Sequence, residues 1–512
     1  MGRPYDRNNV QYPLTVTPVP VHVVWFKRDL RITDHAPLTE AAAQGAVLPL
    51  YIVERSLHKS ADFDPRHWVF LQQCLTELRE ALAQLGMALV VRVGEVTPVL
   101  SEIHAEYTIS ALWAHEETGN RLIYARNAAV TAWTKANSVP FHEFPSGGVV
   151  RGLASRNEWA PLWEKRMAPA PLAAPTAIHP LEGVTLGRIP DYLGNAPVTH
   201  HSLQQGGRRA ADDLLTSFLE RRGLHYPRAM SSPVTNSDST SRLSPHLTYG
   251  TLSVREVIHA VRERRRDLSA IPNGEFTYTV GEWRLTLRAF ESRLRWRDHF
   301  IQKLEDEPQI EQHSLIPNVD ALFDDPLTDE RAGARLAAWE AGKTGYPLVD
   351  AVMRALRAEG YTNFKMRAVV AVFAAYDLWL PWQITGRVLA RWFTDYEPGI
   401  HWNQQQIQSG TSGANRLRGY NPTKQAREHD PNGEFIRRWL PELASVPNDY
   451  IHAPFDMPPM LQAMYHCVIG KDYPAPIVEH PTVAKIMIER INALRKALEA
   501  QAATPSGGSA SG

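Results

Sequence analysis

Three stretches of this sequence hold residues whose types and spacing suit chemistry. In Val23–His35 (VVWFKRDLRITDH) an apolar run is followed by Lys27, Arg28, Asp29, Arg31 and Asp34. Such a run reads either as a strand-end turn capped by Asp29 or Asp34, or as ligand contacts at the carboxyl end of a strand, where open α/β sheets place their sites. No G-x-G-x-x-G is present, so a dinucleotide fingerprint is not claimed. In STSRLSPHL (Ser239–Leu247), the hydroxyls of Ser239, Thr240, Ser241 and Ser244 stand beside Arg242, with Pro245 suited to a helix's first turn. That set reads as an anion site for a phosphate or pyrophosphate, or as an ordinary N-cap with a solvated arginine. Between Gly342 and Leu443, Arg367 and Asp395 each interrupt an apolar stretch. Buried charges need partners, so the two are expected to pair. His401, Trp402, Asn403 and a glutamine run follow, in what reads as a loop rich in turn residues.

The elements that must position these residues change in texture along the chain. VHVVWF (Val21–Phe26), AVLPLYIV (Ala46–Val53), ALVVRV (Ala88–Val93), Ser110–Trp113 and VPFHEF (Val139–Phe144) read as strands, and Trp68–Leu85 carries apolar residues at helical spacing. Strands alternating with helices predict a parallel sheet covered on both faces over 21–150. Residues 151–207 are proline-rich and read as a long connector, extended or lying on the surface. Over 208–500 strand signals nearly vanish, and Ala210–Arg222, Ser253–Arg266, Trp283–Leu304, Ala332–Gly342, Tyr346–Glu359, Arg367–Trp379, Gln383–Asp395 and Val483–Gln501 read as helices. Residues 1–20 read as a flexible segment and 501–512 as a disordered Gly/Ser-rich tail.

Composition narrows the classes. With 55 Lys+Arg against 55 Asp+Glu, the net charge is zero. Contact with nucleic acid must then come from a local patch. Arg262–Arg266 reads as a solvated helix face. Arg288–Arg297 and Arg416–Arg427 are the other basic clusters, and the last flanks the glutamine loop. Two cysteines, Cys74 and Cys467, exclude a disulfide scaffold and any four-cysteine zinc or iron–sulfur site, and no metal is expected. Neither a membrane-spanning run nor a signal peptide is read, so a cytoplasmic monomer is expected.

V-W-F-K-R-D-L-R-x-x-D, T-S-R-L-S-P-H-L, G-K-T-G-Y-P-L-V-D-A-x-M-R and D-P-x-G-E-F-I-R-R-W-L-P-E-L occur here in one order. Over about residues 21–445 the chain resembles the photolyase/cryptochrome family. The resemblance implies a Rossmann-like α/β domain that can hold an antenna chromophore, in a region including HEETGN (His115–Asn120), joined by a connector to an all-α FAD-binding domain. It implies light-driven electron transfer from reduced FAD to a cyclobutane pyrimidine dimer in UV-damaged DNA, or the same flavin used by a blue-light photoreceptor without repair.

By the same resemblance, Thr240, Ser241, Arg242, Leu243 and Ser244 match the FAD phosphate segment and Tyr226 a flavin-contacting tyrosine. Arg297, after Trp296, matches a helix arginine. Arg367 and Asp395 match a salt bridge beside the isoalloxazine, with Asp395 and Glu397 as two acidic positions. His401 falls where an Asn usually faces flavin N5, to donate a hydrogen bond or to titrate. Trp382 matches the middle of the electron-transfer chain, and the outer position, near Asp329, is not Trp. Arg416, Arg418, Lys424 and Arg427 are expected on DNA. The chain departs from the pattern in its lesion pocket. Arg293 replaces a Glu, Asn363-Phe364 replaces His-Asn, Gln405 replaces the first tryptophan and Ile407 a stacking tryptophan. A histidine acid of 6-4 photoproduct repair is missing from the Asn363–Ala368 segment. Trp379, Trp392 and Trp402 are expected to offer another electron path.

Overall fold

The computed structural model describes residues 20–193, 202–270, 278–316, 319–322, 330–412 and 419–503. The first half builds β1 (Val21–Phe26), α1 (Ala36–Gln44), β2 (Val47–Val53), α2 (Pro65–Gln84), β3 (Val90–Val93), α3 (Val96–Tyr107), β4 (Ile109–His115), α4 (Arg121–Ala136) and β5 (Phe141–Phe144). All pairings are parallel and the order is β3-β2-β1-β4-β5. Parallel strands covered on both faces need continuous apolar sequence. β2 is buried at every position. The order reverses between β1 and β4, so their carboxyl ends open a crevice there.

The connector holds more structure than its prolines suggest. Its start forms α5 (Trp159–Met167), and Trp159, Trp163 and Met167 are buried in the core of the helical half. Farther on, Ile178 and Leu181 join the core of the sheet. Proline blocks regular ladders, but the large apolar residues between the prolines still find cores to enter.

The second half is helical among its described residues. It includes α6 (Arg208–Glu220), α7 (Ser244–Tyr249), α8 (Val254–Ser269), α9 (Tyr278–Asp306), α10 (Glu330–Ala341), α11 (Pro347–Glu359), α12 (Phe364–Val372), α13 (Trp382–Trp392), α14 (Pro398–Ser409), α15 (Pro422–His429), α16 (Glu434–Trp439) and α17 (His480–Ala503). The helix expected over Arg367–Trp379 is α12 followed by a wider π turn, Phe373–Asp377. The expected loop after Asp395 is helix α14. Pro398 starts it, Gly410 ends it at φ 76°, and Gln406 ties it to the carbonyls of Ile310 and His313 at 2.9 and 2.8 Å. The last helix runs into the expected tail; residues 1–19 and 504–512 lie outside the described residues.

The two halves interlock by hydrogen bonds. Arg66, at the start of α2, reaches the carbonyls of Leu356 and Trp392 at 3.2 and 3.4 Å, near the ends of α11 and α13. Gly250 closes α7 at φ 72°, and a Cβ there would lie 2.2 Å from the Arg28 carbonyl. Left-handed backbone with a side chain costs about 1–2 kcal/mol before any clash. Gly250→Ala is therefore expected to lower stability by about 2 kcal/mol or more, read as a reduced urea midpoint.

Candidate functional site

A cavity of about 310 Å³ opens in the helical half, and most of the residues singled out above line it. At one end lies the segment before α7. Arg242 is held at φ 58°, a conformation that disfavours any side chain, and its guanidinium lies 3.8 Å over the Tyr361 ring. The Thr240 hydroxyl donates to the Asn236 carbonyl at 2.8 Å, and Ser241 and Ser244 also line the wall. α7 has only six residues, so a short helix adds little dipole here. The capacity for an anion rests on Arg242 and the hydroxyls. Leu243 is absent from the wall, and its side chain packs into the core around Trp283 and Phe290.

At the other end Arg367 and Asp395 do pair, through two contacts of 3.0 and 2.8 Å. Asn363 caps α12 by accepting from the Met366 N–H at 2.8 Å, which sets Arg367 on the cavity side. The guanidinium also bonds the Thr362 carbonyl at 2.9 Å and lies 4.0 Å over Phe393. Asp395 and Glu397 come from the turn between α13 and α14. One Glu397 oxygen is paired with Arg28, from the turn after β1, with Arg297 of α9 at 3.7 Å. The other, Oε1, is buried without a partner, as is Nδ2 of Asn363. Both residues line the cavity, and these two atoms are themselves enclosed.

His401 projects from α14 into the same wall. Its Nε2 lies 2.8 Å from the Gly386 carbonyl, which can only accept, so Nε2 carries the proton and Nδ1 is the free lone pair. Burial pushes its pKa down to about 3. Burial thus opposes titration near neutrality, and with the proton on Nε2 the Nδ1 lone pair is an acceptor. Tyr226 lines the wall with its phenol pushed up to about 12 by burial, against the Arg293 cation. Arg297 donates to the Leu247 carbonyl at 3.0 Å and to Asp298 at 2.8 Å.

The mouth is formed by Arg293, Phe364, Lys365, Gln404, Gln405 and Gln408, with the Phe364 ring 56% exposed. Trp296 does not join it. One residue from Arg297 on α9, it faces elsewhere, half-exposed against Phe300 and His299. Ile407 is not on the wall either. Trp382 is fully buried behind the cavity; its indole donates to Ser314 at 2.8 Å, and its ring meets Trp402 edge-on at 5.8 Å. Trp402 in turn lies 4.9 Å from the His401 ring and donates to the Tyr396 hydroxyl at 3.1 Å. Lys424 and Arg427 are exposed on α15, while Arg416, Arg418 and Asp329 lie outside the described residues. In the first basic cluster, Arg262 and Arg265 are both paired with Glu291. Tyr361 and Tyr396 went unmarked as site residues in the sequence; Tyr396 stands between the two acids that were marked.

A second, smaller cavity lies at the carboxyl ends of β1, β4 and β5, lined among others by Lys27, Arg28, His115, Glu116, Glu117 and Gly148, with Arg297 and Glu397 shared between the two cavities. Beside it, Asp29 accepts from His35 at 3.0 Å and His115 at 2.7 Å, and Asp34 is bonded to Ser253 and Arg255. Both aspartates hold structure, and Asp29 also lines this cavity with Lys27, Arg28 and Arg31. The Asp29, His35 and His115 atoms are near enough to hold an ion, but those two hydrogen bonds already occupy them.

Comparison with known proteins agrees with this geometry. The DNA photolyase family model matches residues 22–153, and that of the FAD binding domain of DNA photolyase matches 290–493. A deoxyribodipyrimidine photo-lyase of Streptomyces griseus is 30% identical over 479 residues, covering 90% of this chain and 96% of the relative. The chain belongs to the photolyase/cryptochrome family. A cryptochrome DASH of Gloeobacter violaceus is also 30% identical, over 492 residues, covering 89% of this chain and 93% of the relative. The fold is shared with the Synechocystis sp. PCC6803 cryptochrome at a TM-score of 0.80 and 23% identity, over 92% of this chain and 99% of that one. The FAD-binding domain match falls in the half of the chain that holds the large cavity, and that cavity's cationic, hydroxyl-bearing and ion-paired walls fit such a group. Among the described residues no helix is long and apolar enough to cross a membrane.

Several buried imidazoles make the protein acid-sensitive. Burial pushes His58 and His246 down to about 4, His115 and His401 down to about 3, and His67 likewise downward. Unfolding returns each to about 6.5. The unfolded chain then binds more protons, so stability present above that value is lost as pH falls. Asp350 and Asp377, pushed up to about 6 by burial, act in the opposite sense between about 6 and 4. Among the described residues nine imidazoles are held down and Asp29, Asp34 and Glu117 are lowered by their partners, against six carboxyls raised by burial. The thermal midpoint is therefore expected to drop from about pH 7 to pH 5, as differential scanning fluorimetry across that range would record.

Proposed function

We propose that this chain is a light-dependent DNA-repair flavoprotein that splits cyclobutane pyrimidine dimers. The carrying observation is the large cavity itself, which the Arg367–Asp395 pair, Glu397, Asn363 and the hydroxyl-bearing Arg242 segment all line. When bound there, FAD supplies light absorption and the electron delivered to the dimer. Arg242, Ser241 and Ser244 would hold its phosphates, Arg367 and Asp395 would orient the ring, and His401 Nδ1 would accept a proton-bearing edge of it. Neutral His401 keeps that lone pair available across the physiological range.

At the mouth, Phe364 offers one stacking plane, Arg293 and Lys365 offer positive charge, and three glutamines offer amide donors and acceptors. A nucleic-acid strand with two linked bases turned out of the stack matches those groups: phosphate to the cations, base faces to Phe364, base edges to the amides. Lys424 and Arg427 extend the positive surface beyond Lys365, whose ammonium lies 4.0 Å over Tyr420. The small cavity at the sheet's carboxyl edge, with His115–Thr118 on its wall, is the place for an antenna chromophore.

A second reading, a blue-light photoreceptor without repair, draws support from the same mouth. Gln405 and Ile407 replace two aromatic planes, each worth about 1–3 kcal/mol of base stacking, and Arg293 replaces a carboxyl group. Blue-light illumination of the reduced protein with a thymine-dimer oligonucleotide separates the readings: restored thymine is expected on single or double strands, and its absence on both would favour the photoreceptor.

Flavin photoreduction tests the interior path. Trp382 and Trp402 in edge contact form a route that bypasses Gln405. Trp382→Phe and Trp402→Phe are each expected to slow photoreduction strongly under blue light with a thiol donor. A near-normal rate in Trp382→Phe would remove Trp382 from the route.

A further inference from the structure

The tryptophan pair stops one side chain short of the large cavity. Neither Trp382 nor Trp402 lines it, and the residue that joins Trp402 to the cavity by a hydrogen bond is Tyr396. Resting on the FAD reading above, we propose that Tyr396 is the side chain that gives its electron to the photoexcited flavin, passing its phenolic proton to Asp62 in the same step.

The hydrogen bonds around the phenol carry this assignment. The Tyr396 hydroxyl donates to Asp62 Oδ2 at 2.8 Å and accepts from the Trp402 indole N–H at 3.1 Å. Asp62 belongs to the loop between β2 and α2, is 9% exposed, and also accepts from Asn120 at 3.3 Å. A phenol that loses an electron becomes a very strong acid, so its oxidation needs a base already in place, whereas an indole can lose an electron and keep its proton. Three tyrosines line the cavity, and only one has such a base. Tyr226 faces the Arg293 cation, and Tyr361 lies under two guanidiniums with its hydroxyl 3.4 Å from the Asn236 amide oxygen. Those surroundings oppose the loss of an electron from either ring. Burial and the Asp62 charge hold the Tyr396 phenol well above its ordinary pKa, so it stays a neutral phenol until the electron leaves.

The step balances. One electron passes from Tyr396 to the flavin, the phenolic O–H bond breaks, and an O–H bond forms on Asp62. Tyrosine is left as a neutral radical and Asp62 as a carboxylic acid. A thiol reductant in solution returns one electron and Asp62 returns the proton. The same hole can also be filled from Trp402, whose indole touches the hydroxyl. Because the proton has already moved, recombination requires it to move back, which makes Tyr396 a resting place for the hole.

The test is made on the flavin-loaded protein, whose flavin absorbance is recorded first. Illumination is expected to give the electron paramagnetic resonance signal of a neutral tyrosyl radical and a slower photoreduction in heavy water. Tyr396→Phe removes the signal and slows photoreduction on the order of a hundredfold. Asp62→Asn keeps a hydrogen-bond acceptor for the phenol but cannot take its proton. It is expected to retain flavin and its ground-state spectrum while losing both the radical and the isotope effect, and Asp62→Glu restores them in part. If the protein carries flavin but gives only tryptophan radicals, or if Asp62→Asn keeps the tyrosyl radical and the isotope effect, the assignment is overturned and the FAD reading stands. Absence of flavin absorbance overturns both.

Discussion

A carboxylate withdrawn from water loses several kcal/mol of hydration unless cations and donors replace it, and Glu397 is 4% exposed. Arg28 reaches it from the turn after β1 and Arg297 from α9, so two segments far apart in sequence are committed to one charge. That commitment fixes how the sheet half meets the helical half. Gly250 permits the backbone of α7 to approach Arg28, and Arg66 secures the opposite side by bonding carbonyls near the ends of α11 and α13. The remaining Glu397 oxygen is buried without a partner, in a residue that lines both cavities.

The same junction explains why the two cavities share a wall. Parallel sheets open at the carboxyl ends of their strands, and here that opening is closed by the helical half. Arg297 and Glu397 face both spaces. A ligand in either one therefore alters the electrostatic surroundings of the other through side chains already in place, without movement of the backbone.

Much of this was legible in the sequence because it obeys local rules. Continuous apolar runs marked the strands, helical spacing marked the bundle, and two charges in apolar surroundings marked the Arg367–Asp395 pair. What was not legible depends on contacts without local pattern. α14 was hidden because Gly399, His401, Trp402 and Asn403 are weak helix formers that mask the helix-favouring glutamines after them, and Gln406 bonding the loop after α9 and packing of Trp402 hold it in place. α5 was hidden among prolines because its tryptophans are buried by partners that lie elsewhere in the chain. Arg242 was read from its hydroxyl neighbours, while its left-handed backbone and its seat on Tyr361 were not.

Tyr396 and Asp62 are the extreme case, 334 positions apart in the sequence. Each alone is an unremarked polar residue, and only folding brings the phenol to the base. On the proposed reading, a glutamine at position 405 does not by itself interrupt an electron path, because redox-active rings need only proximity, and Trp402 and Trp382 stand in edge contact. A proton acceptor is more demanding, since it must meet one oxygen within hydrogen-bond reach. The sheet half meets that demand with a carboxylate from its own loop. The interface that holds the two halves together is thereby also the place where charge and proton can part.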